Sequence, residues 1–324
     1  MAFNYFKRRN ELKNSAVSWS NLMETAMKDN IAKSVKGTVH YKEDFAVDKI
    51  VPRFNTTTIM CINAYSQDTA YATGKQVEGK SAILNFASYK NPGGKFLEGS
   101  SAQEESLCHR STLYNVLVKF TTSFYKDNLK KLNNSLYNDN MLYSPNIYFT
   151  KEDGNINYND FVACDVITCA APNKTAALKY KRANSEEITD ALISRIDHIL
   201  AVAYDQKVDN LILGAFGCGV FGNDPTTVAS IFAAFIEDKY FGCFKNVIYA
   251  IPKMSETDHT IDYFNTILFR HADNAKIIAK ANTFKSIELT EPIRETKLMK
   301  NEKYNLADVT IDKLKKNIRE RKVK

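Results

Sequence analysis

Apolar residues along this 324-residue chain follow two rhythms, and the alternation between them predicts the fold. Short continuous apolar runs recur at Thr56–Ala64 (TTTIMCINA), Ser81–Ser88 (SAILNFAS), NIYFT, DFVACDVITCAAPN, NLILGAF and NVIYAIP. Runs of this kind suit strands buried on both faces. Between them lie stretches with helical spacing: DTAYATGKQVE, a segment from about Ser101 through LCHRSTLYNVLVKF, SEEITDALISRIDHILAVAYDQ and PTTVASIFAAFIEDKYF. Residues 1–40 predict an amphipathic helical lead-in, residues 121–145 a polar helix and then a loop, and residues from about 270 onward a lysine-rich helical extension. Strands alternating with helices predict an α/β sandwich with helices on both faces.

Composition changes this picture little. Hydrophobic residues make up 44% and charged residues 25% of the chain, as in soluble globular proteins. The six cysteines include no CxxC pair and sit mostly in apolar runs, which predicts reduced thiols and a cytoplasmic protein, with the nucleus as the other compartment open to it. The five histidines lack metal-ligand spacing, so neither a metal nor a cofactor is expected. No apolar run approaches the roughly 20 residues that span a bilayer, and no signal peptide is visible, so no membrane partner is expected.

Charge is more informative. The net +7 is concentrated in the last twelve residues, KLKKNIRERKVK, which carry seven Lys/Arg and one Glu. The remaining body is close to neutral. The tail is expected to be either a solvated charged terminus or a weak contact to nucleic acid, to the substrate polyanion or to an import receptor, separate from any pocket in the body.

Two glycine stretches carry the candidate chemistry. Gly214–Pro225 (GAFGCGVFGNDP) follows an apolar strand and precedes a helix with Asn223 or Asp224 as its N-cap and Pro225 at its first position. Small residues there let backbone N–H groups approach an anion at a helix N-terminus. The GxGxxG match also suggests a nicotinamide enzyme. However, that motif belongs in a first βαβ unit with an acidic residue roughly 20 positions on, and the context here lacks both.

The other stretch, Asn91–Leu107 (NPGGKFLEGSSAQEESL), pairs close-approach glycines with two adjacent carboxylates, Glu104 and Glu105. Ser101-x-x-Glu104 fits a capping box, which would give Glu104 a purely structural task. Side chains of adjacent helical residues diverge by about 100°, so the pair suits divided labour rather than a grip on one atom. Cleavage of a glycosidic bond needs that division, since a leaving oxygen must be protonated and a water deprotonated.

Taken together, LNFASYKNPGGKFLEGSSAQEESL, SPNIYF, CDVITCAAPN and LILGAFGCGVFGNDP resemble the microbial-type poly(ADP-ribose) glycohydrolases, a branch of the macrodomain superfamily, over roughly residues 40–255. The resemblance implies a macrodomain-like three-layer α/β/α sandwich with a mixed central sheet, spanning 41–270 between the lead-in and the extension at 271–324. It implies hydrolysis of ribose–ribose bonds in poly(ADP-ribose), with ADP-ribose or ADP-ribosylated proteins as partners of a monomeric enzyme. A non-catalytic ADP-ribose reader is the alternative. By the same resemblance Glu105 is the general acid/base and Glu104 holds ribose hydroxyls. Gly93 and Gly94 approach the distal ribose and pyrophosphate, and Gly217, Gly219, Val220 and Phe221 bind the diphosphate, with Phe221 also packing near the distal ribose. Asp68 is a candidate for the adenine amino group and equally for a helix N-cap. Lys95 stands where the family has a third glycine. Its side chain is expected either to face solvent or to crowd the ribose.

Overall fold

The computed structural model describes residues 2–151, 160–270 and 277–279. Along the chain the elements run α1 (Ala2–Ala26), α2 (Lys28–Gly37), β1 (Val39–Tyr41), β2 (Thr57–Ile62), α3 (Ser66–Gln76), β3 (Ser81–Phe86), α4 (Gln103–His109), α5 (Leu113–Leu117) and α6 (Lys126–Lys130). They continue with β4 (Met141–Phe149), β5 (Val162–Cys169), α7 (Lys174–Lys179), α8 (Ser185–Asp205), β6 (Asn210–Leu213), α9 (Pro225–Glu237), β7 (Asn246–Ala250), α10 (Thr260–Arg270) and β8 (Ile277–Ala279). The chain forms two compact units. One comprises residues up to Phe45 together with Ser66–Ala171. The other comprises Ala46–Tyr65 and the described residues from Pro172 onward.

The first unit holds a mixed sheet in the order β1-β4-β5-β3. Strand β4 runs antiparallel to β1 and β5, and β5 runs parallel to β3. Strand β3 is buried from Ser81 through Asn85, as its unbroken apolar run requires. The expected helix after the first glycine stretch is broken instead into α4, α5, a 3₁₀ turn, a π-helical turn at Thr121–Tyr125, and α6. Strand β4 begins at Met141, inside the segment expected to be loop. Its register shifts between Ser144 and Ile147, where Pro145 and Asn146 (φ +54°) form a bulge. A proline cannot donate to a ladder and is tolerated at such a bulge, so Pro145, placed in the expected loop, sits within a strand. Asp165 secures the bulge by accepting from the Asn146 amide at 2.7 Å.

The second unit holds a parallel sheet in the order β6-β7-β2-β8. Helix α9 crosses from β6 to β7 and is buried continuously from Val228 to Ile236, which explains why its apolar residues show no clean stripe. Helix α8 starts in a capping box between Asn184 and Glu187. The Arg53 guanidinium closes one edge, donating to Cys243 O at 2.8 and 3.1 Å and to Asp209 at 2.9 Å. Strand β8 departs from the helical reading of the C-terminal extension, since Ile277–Ala279 pair with β2. The basic tail lies outside the described residues.

Candidate active site

In the first unit, the chain leaves β3, turns through Asn91–Gly99 and enters α4. The Ser101 capping box does not form. Helix α4 starts at Gln103, its N-cap is Ala102, and no side chain caps it. The Glu104 side chain is turned inward instead. Its Oε2 accepts from the Ser88 amide at 2.7 Å and its Oε1 from Asn85 Nδ2 at 3.2 Å. Glu105 Oε1 accepts from the Lys95 amide at 2.8 Å, and both glutamates are buried, at 3% and 7% exposure. Two adjacent buried carboxylates on a seven-residue helix carry a large desolvation cost, which a purely structural segment would avoid.

The two carboxylates converge more closely than adjacent helical positions suggest. A Cβ added to Gly94 would lie 2.5 Å from Glu105 Oε1 and 3.0 Å from Glu104 Oε2. Gly94 also has φ +59°, so no other residue fits there without displacing both acids. Gly93 is confined in the same way by the Tyr114 ring, 2.7 Å from the position of its absent Cβ.

Burial sets the protonation of Glu104. Desolvation pushes its pKa up from 4.5 to about 8, the charge of Glu105 adds to the rise, and the hydrogen bonds from Ser88, Asn85 and Gly93 oppose it. Near neutral pH Glu104 is therefore a carboxylic acid, able to donate an O–H. Asn85 Oδ1 lies buried without a partner beside it. Tyr125, in the π-helical turn, also has a buried and unpartnered hydroxyl, and its pKa is raised by burial and then by Glu104. Asn85 is legible as a polar residue inside an apolar run. Nothing in the sequence singles out Tyr125.

The remaining candidates of this unit divide. Lys95 has φ −110°, which any residue adopts, and its side chain is 63% exposed with Nζ 3.9 Å from Glu98. The third family glycine is thus dispensable here, and the lysine faces solvent. Gly99 does need to be glycine, because its φ is +76° and a Cβ would fall 2.1 Å from Arg9 O on α1. That helix also holds the segment through Trp19 Nε1, which donates to Ser111 O at 2.9 Å. Asp68 lies in the first turn of α3, half exposed, and accepts from Arg110 Nη2 at 3.3 Å. His109 packs edge-on against Phe96, and burial lowers its pKa.

In the second unit, the loop between β6 and α9 has the features of an anion cradle. Asp224, not Asn223, is the N-cap, accepting from the Thr227 amide at 2.8 Å, with Pro225 in the first turn of α9. Asn223 is a buried strut whose Nδ2 donates to Pro172 O and Gly217 O at 2.9 and 3.1 Å. Gly217 turns the chain with φ +72°, while Gly219 and Val220 are exposed and their amides donate no hydrogen bond among the described residues. A Cβ at Gly219 would meet nothing within 4 Å, so the space over the loop is open. Phe221 is half-buried, and its carbonyl accepts from the Thr175 amide at 3.0 Å. Burial pushes the Cys218 thiol up, which removes it as a nucleophile.

Comparison with known proteins fits this geometry. Residues 12–152 match the family described as microbial-type PARG, catalytic domain. The crystal structure of poly(ADP-ribose) glycohydrolase from Deinococcus radiodurans in complex with ADP-ribose is 31% identical, with a TM-score of 0.69 over 74% of this chain and 98% of that one. The chain belongs to the microbial-type poly(ADP-ribose) glycohydrolase family. The enzyme from Thermomonospora curvata is 28% identical with a TM-score of 0.70, over 80% of this chain and all of that one. A structure of the Thermomonospora enzyme bound to the inhibitor ADP-HPD matches to the same degree. No curated protein sequence matches the chain. Membership makes the fold macrodomain-like mixed α/β and the protein a glycosidase of the hydrolase class.

Proposed function

We propose that this chain hydrolyses the O-glycosidic ribose–ribose bonds of poly(ADP-ribose), releasing ADP-ribose from chain ends. Family membership supports the reaction, and the relatives captured with ADP-ribose or ADP-HPD support the ligand. The observation that carries the reading is the pair of buried carboxylates either side of Gly94.

The reaction needs a proton on the leaving ribose oxygen, stabilisation of an oxocarbenium-like transition state, and a deprotonated water. Glu105 suits the proton transfers. One of its oxygens is fixed by the Lys95 amide, and the other has no partner among the described residues. Glu104 suits orientation. Both its oxygens are held, and as a neutral acid it can donate to a ribose hydroxyl without adding negative charge beside Glu105. Gly93 and Gly94 admit the distal ribose and pyrophosphate, and the Gly217, Gly219, Val220 and Phe221 backbone takes the diphosphate. The tail adds a weak polyanion contact to a monomeric, cytoplasmic enzyme.

Incubation with labelled poly(ADP-ribose) tests the reading through release of ADP-ribose. Glu105→Gln should abolish release while leaving ADP-ribose binding within about tenfold, because an amide of the same shape cannot exchange the proton. Near-normal turnover by that variant would remove Glu105 from its role. Tight binding with no release by the parent would make the protein a reader.

A further inference from the structure

Helix α7 and the turn after it carry a surface that the proposed reaction does not use. Residues 172–185 (PNKTAALKYKRANS) hold four Lys/Arg and no Asp/Glu, in a body that is otherwise close to neutral. Tyr180 is 57% exposed, and two cations lie over its ring. Lys179 Nζ lies 5.5 Å from its centroid and Arg182 Cζ 4.9 Å. Lys181 holds φ +50°, so the chain makes a tight left-handed turn that leaves Lys179, Tyr180, Lys181 and Arg182 together on the surface.

This surface is tied to the candidate diphosphate loop. The Thr175 amide donates to Phe221 O at 3.0 Å, and a Cβ on Gly222 would fall 2.4 Å from Thr175 Oγ1. The charge of Lys174 reaches the Cys218 thiol in the same loop. Tyr180 follows Thr175 by five residues, a rise of about 7.5 Å along the helix. The aromatic and its cations thus stand at the far end of the short helix whose first turn touches Phe221, the residue that the family resemblance sets near the distal ribose. The next unit of an ADP-ribose chain departs from that ribose, carrying its own adenine and diphosphate.

We propose that this surface binds the second ADP-ribose unit of the polymer, with its adenine stacked on Tyr180 and its diphosphate held by Lys179 and Lys181. The inference rests on the proposed function. Aromatic platforms flanked by cations hold single-stranded polyanions by base stacking and phosphate neutralisation together. Monomeric ADP-ribose occupies the loop alone and cannot use the platform, so the surface favours chains over monomers.

The test uses the full chain carrying Glu105→Gln, so that polymer survives the measurement. Binding of monomeric ADP-ribose, an ADP-ribose oligomer of defined length and single-stranded oligoadenylate RNA is titrated by calorimetry at two salt concentrations. Adding Tyr180→Ala should weaken the oligomer roughly tenfold and leave the monomer unchanged. Lys179→Gln with Lys181→Asn should lower the oligomer's salt slope by about 1.4, at about 0.7 per lost phosphate contact, with asparagine accepting the left-handed backbone. No loss of oligomer affinity in either variant, or an equal loss for the monomer, overturns the proposal. RNA held as tightly as the oligomer, and lost equally with Tyr180→Ala, overturns it in favour of a nucleic-acid surface. Failure of the protein to bind monomeric ADP-ribose at all overturns the proposed function, and the inference with it.

Discussion

Glu104→Gln should make the protein more stable as pH rises, and the structure fixes both sign and size. The carboxyl titrates at about 8 in the folded state, against 4.5 when exposed. Below pH 4.5 both states hold the proton and the group leaves stability unchanged. Between 4.5 and about 8 the unfolded chain releases the proton while the folded one keeps it, so stability falls with pH. Above about 8 the loss is complete. At 1.36 kcal/mol per pH unit, the gap of about 3.5 units amounts to roughly 5 kcal/mol, of which about 3 kcal/mol has accrued by pH 7. At 3% exposure, solvent does not screen the group. Glutamine cannot ionise, so its stability should be flat across this window. Its own cost is about 1 kcal/mol, since an NH₂ group must replace one acceptor beside Ser88 or Asn85. The variant should therefore be slightly less stable than the parent at pH 4.5 and several kcal/mol more stable at pH 8.5. Urea unfolding across this range measures the difference. The single tryptophan, Trp19, bonded to Ser111 in the same unit, reports the relevant transition. A difference that stays constant within about 1 kcal/mol from pH 4.5 to 8.5 would mean that Glu104 ionises like an exposed acid, and the desolvation argument would fail.

Gly219→Val should weaken ADP-ribose binding roughly tenfold without loss of stability, because its side chain would enter open space over the loop rather than protein. Calorimetry with unchanged affinity would take the loop out of the binding site, as would NAD binding far more tightly than ADP-ribose. Lys95→Gly should change turnover by less than about tenfold, since the lysine side chain faces solvent and only its amide holds Glu105. An inert parent made active by that glycine would show instead that Lys95 blocks the site. Deleting residues 313–324 should lower affinity for long ADP-ribose chains at low salt and leave the monomer untouched, through lost counterion release. An unchanged salt slope would dismiss the tail as a polyanion contact.

The parts of this fold that a sequence displays are those whose local pattern and tertiary task agree. Strands β2, β3, β5 and β6 are continuous apolar runs because they are buried on both faces, and the Asp224-Pro225 cap is chemistry local to one turn. Where local pattern and tertiary task conflict, the sequence misleads. Ser101-x-x-Glu104 is a good capping box on paper. The tertiary structure takes Glu104 away from it, because Ser88 and Asn85, distant in sequence, supply donors for a buried carboxylate. Residues 141–145 read as loop, yet they open β4, because the bulge at Pro145 and Asn146 interrupts the strand's pattern there. The cationic surface around Tyr180 is hidden for a different reason. A net charge summed over the body cancels Lys179, Lys181 and Arg182 against acids elsewhere, and only folding shows that Lys179 and Arg182 lie over the Tyr180 ring.

The contact between α1 and Gly99 bears on where this protein may be cut. The family likeness starts at residue 12, part-way along α1, yet the carbonyl that closes over Gly99 belongs to Arg9, whose guanidinium also pairs with Glu98 at 3.6 Å. A recombinant fragment that started at residue 12 would keep Glu104 and Glu105 and discard one side of the clamp on the loop that presents them. A boundary set at the start of the family match thus runs through a mechanical joint. An expression tag placed before residue 2 leaves that joint whole, whereas one fused at residue 12 replaces half of it with foreign chain.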